Sequence, residues 1–303
     1  MTASALRALL ASGRVLHVPG VHDPITAALA VRAGHRAVHL SGTAVAATML
    51  GRPDVQHTHG ARVADRASTL ASALDGVPLL ADADTGYGDP AHMVWTALAY
   101  SRAGVSGLIL SDRPGRRSSE KREMSGTLTG SVATAGVAET GGITATAEAI
   151  RALAEQAPEI VIIARTRIHP ARGLDETIVR CRAYAEAGAD AVFPEGVDTL
   201  ADLAKVHAAL PGVPLVLDRS GTAARPEPAT DADLADAGVR LVLHPMTALL
   251  AAMRAASLAY RAIAETGSPE PVDRMPWAAF TELTEPETAT APDARYVPAN
   301  LQT

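Results

Sequence analysis

Apolar positions along the chain fall into two alternating patterns. Short runs of three or four mostly apolar residues recur, and alanine-rich stretches with helical spacing separate them. Four segments carry the hand-over: AGHRAVHLS from Ala33, AGVSGLILS from Ala103, AGADAVFPE from Ala187 and AGVRLVLHP from Ala237. In each, glycine stands where a helix C-terminus takes it, and an apolar run follows within a few residues. Two further segments, GVPLLAD from Gly76 and GVPLVLD from Gly212, enter a strand through Gly-Val-Pro and leave it at Asp82 or Asp218. With the runs Val15 to Val18 and Ile160 to Ala164, the spacing predicts eight strands at about 15–18, 37–40, 79–82, 107–110, 160–165, 191–194, 215–217 and 241–244. The strands read as continuous apolar runs, which indicates a parallel sheet covered on both faces. Eight such βα units favour an α/β fold of the closed (β/α)8 TIM type over a doubly wound sheet. The barrel is expected over residues 1–265, with the N-terminal MTASALRALLASGR as a first helix. A Pro-, Glu- and Thr-rich tail, 266–303, holds one helix-like piece from Pro276 to Glu285, expected to pack on the barrel or on a neighbouring subunit.

Composition narrows the function. No apolar run in the 303 residues approaches the roughly 20 needed to span a bilayer, so a cytoplasmic enzyme is the expectation. Net charge is −6 and the basic patch from Arg113 to Arg122 is short, which argues against nucleic acid as a partner. A lone cysteine, Cys181, excludes a disulfide framework and a cysteine-based zinc site. The two lysines, Lys121 and Lys205, stand in a loop and a helix, away from strand ends. Imine chemistry needs a lysine in the pocket, so bond-making beside a carbonyl would here rest on a metal-stabilised enolate.

Sites in such barrels form at the C-terminal ends of the strands. Seven residues beyond the repeat glycines stand Ser41, Ser111, Glu195 and Pro245; six beyond the Gly-Val-Pro glycines stand Asp82 and Asp218; Arg165 ends strand five. This polar ring suits a cation and a carboxylate substrate. In LLADADTGYG, Asp82 and Asp84 are two apart, so their side chains share a face if the strand runs through both. A hard cation such as Mg2+ or Mn2+, which takes roughly one or two carboxylates and keeps waters for substrate to replace, suits the pair; Asp-x-Asp before two glycines is also ordinary turn chemistry.

Several stretches resemble the isocitrate lyase/phosphoenolpyruvate mutase superfamily, in particular its branch of 2-methylisocitrate lyases and carboxyphosphoenolpyruvate mutases. They are PGVHDPITAALAVRAGHRAVHLSGTAVAATMLGRPD, ADADTGYGDP, VIIARTR, GLDETIVRCRAYAEAGADAVFPE and RLVLHPMTALLAAMRAA, in order over nearly the whole chain. The resemblance implies Mg2+ near Asp82 and Asp84, a 2-oxo acid carboxylate on Ser41, Gly42 and Thr43, and a substrate carboxylate on Arg165. Asp218 and Arg219 fall at the substrate end of strand seven. Glu195 matches the strand-six glutamate, and His39 stands where many relatives have tyrosine, to touch substrate or act as a base. A last helix swapped between subunits, in dimers or tetramers, is also implied.

The departures concern the reaction. Family lyases end strand four in Glu-Asp and follow it with a K-R-C-G-H loop whose cysteine protonates the product carbanion. Here the segment reads LSDRPGRRSSEKREMSG: Asp112 remains, as a catalytic candidate, Ser111 replaces the glutamate, and Ser118-Ser119-Glu120 stands near the missing thiol. Glu120 or a held water is the expected acid. Arg167 replaces an acid after the A-R-T motif, and Asp218-Arg219 replaces Asn and an uncharged residue. The expectation is a Mg2+-dependent C–C lyase that cleaves a 2-hydroxy polycarboxylate to a 2-oxo acid and a second carboxylate, without the cysteine acid. Decarboxylation of an oxaloacetate-like acid or phosphonate P–C chemistry on the same enolate site is the first alternative. A family member without catalysis, acting as a binding subunit, is the second.

Overall fold

A computed structural model describes residues 2–52, 59–112, 142–220, 229–270 and 272–284. Among the described residues there are eight strands: β1 (Leu16–Pro19), β2 (Val38–Leu40), β3 (Leu79–Asp82), β4 (Gly107–Ser111), β5 (Val161–Thr166), β6 (Ala191–Pro194), β7 (Leu215–Asp218) and β8 (Val239–His244). They form one parallel sheet in the order β1-β8-β7-β6-β5-β4-β3-β2. β1 meets β2 through an isolated Gly20–His39 bridge, with Val21 N–H donating to the His39 carbonyl at 2.8 Å, and the sheet is thereby a nearly closed TIM-type barrel.

Helices α1 (Thr2–Leu10), α2 (Pro24–Arg32), α3 (Gly42–Leu50), α4 (Gly60–Ala71), α5 (Pro90–Arg102), α6 (Ile143–Gln156), α7 (His169–Glu186), α8 (Leu200–Ala209) and α9 (Asp231–Asp236) separate the strands or precede them. Their ends follow local chemistry. Asp23 caps α2 in a reciprocal capping box with Thr26, and Asp89 caps α5. The four repeat glycines, 34, 104, 188 and 238, all take positive φ between 85° and 108°, so each helix stops where the sequence pattern places its end. Strand eight starts earlier than expected, at Val239 directly after Gly238, and its register against β7 shifts between Leu215 and Val216. The β2–β3 connection holds two helices, of which α3 begins two residues after β2 ends.

Alternation along each strand builds two apolar layers. Leu80, Ile109, Val161, Ile163, Val216 and Leu241 fill the barrel axis together with Leu6 and Leu9 of α1. Leu6 closes the N-terminal end: a Cβ on Gly107, the first residue of β4, would stand 2.8 Å from its side chain. Leu79, Leu108, Leu110 and Ile162 point the other way, towards a layer that includes Leu70, Tyr100, Leu153 and Tyr184 of the helices. This parity governs what the strand ends can do.

By contacts the chain divides into compact units Met1–Ala252 and Met253–Thr303. The second contains most of α10 (Thr247–Thr266) and α11 (Trp277–Thr284), the latter matching the helix expected near 276–285. Among the described residues no helix is long and apolar enough to cross a membrane.

A candidate active site at the barrel mouth

Inward parity brings His39 of β2, Asp82 of β3, Arg165 of β5, Glu195 after β6 and Asp218 of β7 to the C-terminal end of the axis, one layer above the apolar fill. Asp82 is the hub. Its Oδ2 accepts from the Gly42 N–H at 2.9 Å, while His39 Nε2 stands 3.4 Å and Arg165 Nη1 3.7 Å from its Oδ1. Burial alone would raise the carboxyl; His39, Arg165 and the Gly42 amide outweigh it and hold Asp82 ionised, far below the usual carboxylate range. Tyr100 braces this strand end by donating to the Asp82 carbonyl at 2.9 Å.

Arg165 is buried, and opposing burial, the carboxylates of Asp82, Glu195, Asp84 and Asp218 keep its guanidinium charged. Its Nε has no hydrogen-bond partner among the described residues, although Glu195 Oε2 lies 3.8 Å away. An arginine fixed on the axis with an unused donor has the chemistry to hold an anion. Glu195 is turned instead to Arg167, whose Nε donates to Oε2 at 2.6 Å. The extra arginine after the A-R-T motif is therefore half-neutralised by a neighbour and does not simply add positive charge to the rim.

Ser41 is buried and precedes α3 without a side-chain cap bond; Gly42 spends its amide on Asp82, and Thr43 is exposed. Asp218 is half-buried beside Ser220, whose hydroxyl donates to its Oδ1, and burial, with Glu195 nearby, raises its carboxyl above the ordinary value. Arg219 extends the β7 ladder by donating its amide to the Leu243 carbonyl, and its buried Nε has no partner.

The shared face expected for Asp82 and Asp84 needs correction. Strand β3 ends at Asp82, and Asp84 has φ +43°, so the pair does not share a pleated face; the left-handed turn re-aims Asp84. Asp84 instead lines a recess of about 560 Å3 with Ser111, Asp112, Tyr87, Met93 and Ala149 among its walls. Asp112 follows the outward parity of Leu108 and Leu110. Its Oδ2 accepts from Thr166 Oγ1 at 2.7 Å, Tyr184 Oη at 2.9 Å and Arg180 Nη1 at 3.0 Å, which ties β4 to β5 and α7. The residues that complete this network, Thr166, Arg180 and Tyr184, were not expected from sequence, though one step of strand parity beyond Ser111 was the available signal. Cys181, on α7, has its thiol pushed up to about 12 by burial and the nearby Asp112, in keeping with a packing role. Glu120 and the basic 113–122 segment lie outside the described residues.

The donor set fits a hard cation. Asp82 and Asp84 offer carboxylate oxygens, and Asp82 is held ionised. Among the described residues no cluster of three or more His, Cys, Asp or Glu is placed to hold a metal.

The family model described as phosphoenolpyruvate phosphomutase matches residues 6–264. The chain belongs to the isocitrate lyase/PEP mutase superfamily. As a member of it, the chain is 33% identical over 266 residues to the 2-methylisocitrate lyase of Bacillus subtilis (strain 168), covering 88% of this chain and 83% of that protein. A crystal structure of 2,3-dimethylmalate lyase superposes with a TM-score of 0.79 at 27% identity over 93% of this chain and 91% of its own. A phosphonopyruvate hydrolase solved with oxalate and Mg2+ superposes with a TM-score of 0.78 at 27% identity, over 93% and 94% of the two chains. Relatives in this superfamily are enzymes, lyases and mutases among them, acting on small carboxylates or phosphonates.

Proposed function

We propose that this superfamily member is a Mg2+-dependent C–C lyase that cleaves a 2-hydroxy polycarboxylate into a 2-oxo acid and a second carboxylate. The observation that carries this reading is Arg165, fixed on the barrel axis against Asp82 with its Nε unspent. A 2-hydroxy acid carboxylate seated on Arg165 and the Ser41–Gly42–Thr43 turn brings its hydroxyl towards Asp82 and His39. His39, with Nε2 facing Asp82 and Nδ1 without a partner, takes the hydroxyl proton as the adjacent C–C bond breaks. Asp82, with Asp84 directly or through water, would hold Mg2+, which would supply charge stabilisation for enolate oxygens. Glu195 and Arg167 act as a pair at the rim, so the second carboxylate of the substrate meets a balanced dipole there.

Exposed Leu250, Met253, Leu258, Tyr260 and Ile263 along α10 support assembly into a homo-oligomer through the C-terminal helices.

The test is a panel of 2-methylisocitrate, 2,3-dimethylmalate, oxaloacetate and phosphonopyruvate with and without Mg2+, reading 2-oxo acid release by a coupled dehydrogenase. Mg2+-dependent cleavage of a hydroxy acid is the expected result. Turnover of oxaloacetate or phosphonopyruvate alone transfers the enzyme to decarboxylase or P–C chemistry.

A further inference from the structure

Two arginines address one oxygen of Glu195. Its Oε2 accepts from Arg167 Nε at 2.6 Å and lies 3.8 Å from Arg165 Nε, so of these two donors only Arg167 is bonded to it. The two guanidiniums differ in setting. Arg165 is buried and its Nε is without a hydrogen-bond partner among the described residues, whereas the Arg167 side chain is partly exposed and can turn to water. A buried donor left unpaired is costly, so Glu195 is the acceptor that Arg165 would take if nothing else held it. Closing the 3.8 Å gap to a hydrogen bond needs a movement of about 1 Å. The backbone of Glu195 is fixed, its N–H donating to the Thr166 carbonyl at 3.0 Å and Gly196 turning the chain at φ +89°, which leaves the side chain to make that movement. On the Nη1 side of the Arg165 guanidinium, Asp82 Oδ1 already lies 3.7 Å away. With Glu195 bonded to Nε as well, the protein's own carboxylates would flank the guanidinium on both sides, and an incoming carboxylate would have to displace one of them.

We propose that Arg167 is a positioning residue: it holds Glu195 away from Arg165 and so keeps the Arg165 Nε open for a substrate carboxylate. The proposal rests on the reading above in which Arg165 anchors that carboxylate. It gives Arg167 a role other than that of a second positive charge for the substrate, because what it restrains is a competitor inside the mouth. The contact atom is Nε, so the hold is one directional hydrogen bond. Donor and charge can therefore be separated. Glutamine places an amide nitrogen the same number of bonds from the backbone without the charge, and methionine supplies neither donor nor charge. The ligand class follows as a small acid that can set a carboxylate oxygen on the Arg165 Nε–H, with oxalate as a simple probe.

The test is oxalate affinity in the presence of Mg2+, by calorimetry, for wild type, Arg167→Met, Arg167→Gln, Glu195→Ala and the double variant Arg167→Met with Glu195→Ala. It needs no turnover, so its outcome is independent of which acid the substrate panel shows to be cleaved. Arg167→Met should weaken oxalate binding about tenfold, the worth of one charge-assisted hydrogen bond at Arg165. Arg167→Gln should stay within about threefold of wild type, because the donor to Glu195 is kept. In the Glu195→Ala background, Arg167→Met should change affinity by less than about threefold, because no competitor is left to restrain. An equal loss in Arg167→Met with and without Glu195 makes Arg167 a plain attractive charge and overturns the proposal. Equal losses in Arg167→Gln and Arg167→Met, or unchanged affinity in Arg167→Met, overturn it too. Arg165→Lys, which keeps the buried charge but displaces the donor, tests the anchor separately and should lose oxalate binding. If that loss is seen while the Arg167 pattern fails, the anchor stands and only the positioning role falls. If Arg165→Lys binds oxalate as wild type does, or wild type binds none, the anchor reading fails and the proposal with it.

Discussion

Two buried aspartates end neighbouring strands and have opposite fates. Asp82 closes β3 facing the axis and gathers His39, Gly42 and Arg165, all residues at the mouth. Asp112, just beyond β4, faces the helices and gathers Thr166, Arg180 and Tyr184, all structural neighbours. Both are paired with an arginine, so charge alone does not distinguish them. One residue of strand parity does: the same carboxylate becomes a ligand-facing group on one side of the sheet and a bracket between sheet and helix on the other.

The largest effect should come from Asp82→Ala, which removes the axial carboxylate and leaves Arg165 and His39 without it. Loss in kcat/KM should be at least about 10³-fold, since several kcal/mol of charge stabilisation depend on the cation it helps hold. Mg2+ titration calorimetry on the variant should show the binding heat gone. If turnover persists undiminished, the functional half of the comparison fails.

Asp112→Ala should act on stability. It removes the buried acceptor of Thr166, Tyr184 and Arg180, while Glu176 Oε1 stays 3.0 Å from Arg180 Nε, at a cost of about 1–3 kcal/mol in urea unfolding, with oxalate affinity of the folded fraction unchanged. Replacing Asp112 and Arg180 together by leucine should recover much of that loss, because a buried pair exchanged for apolar packing is often neutral. Loss of oxalate binding in these variants would make Asp112 a site residue after all.

A smaller effect concerns acid. The Asp82 carboxyl is depressed in the folded state relative to its ordinary value of 3.8. The folded chain therefore binds fewer protons than the unfolded one in that window, and the stabilisation it brings, complete above the unfolded value, is lost as pH falls towards the folded one. Asp82→Asn should flatten the acid limb of stability against pH below about 4 while leaving the neutral region of the curve without that slope. Smallest of all, Arg167→Met breaks a pair whose side chains are 38% and 29% exposed, so solvent screening limits the stability cost to about 1 kcal/mol or less. Its effect should appear in KM for the second carboxylate.

Much of this was legible in the sequence. Counting from the repeat glycines lands on Ser41, Ser111 and Glu195, and counting from Gly76 on Asp82, because a chain reversal fixed at glycine and a strand of fixed rise leave little freedom in where the strand end falls. The same counting said nothing of where a strand gives way to a turn. Asp84 looked equivalent to Asp82 until a left-handed residue intervened, and that conformation depends on the close fit of the Thr85–Gly88 turn, where a Cβ on Gly86 would stand 2.1 Å from Met93. Arg167 read as added positive charge; only the three-dimensional neighbourhood showed Glu195 spending itself on it. Patterns along one chain report faces and ends, while partners between strands must be seen.

The seam between β1 and β8 carries a further consequence. β1 is hydrogen-bonded along its length to β8 but meets β2 through one bridge at Gly20. A Cβ there would fall 1.9 Å from the Pro245 carbonyl oxygen, just past β8, so the ring closes only where a side chain is missing. On the ribosome the strand made first must then wait for the strand made last. Neighbouring strands from β2 onward can pair as they emerge, whereas β1 remains an unclaimed edge through nearly the whole of synthesis. Chains that stop short of β8 should therefore be far more prone to aggregate than their retained apolar core would suggest.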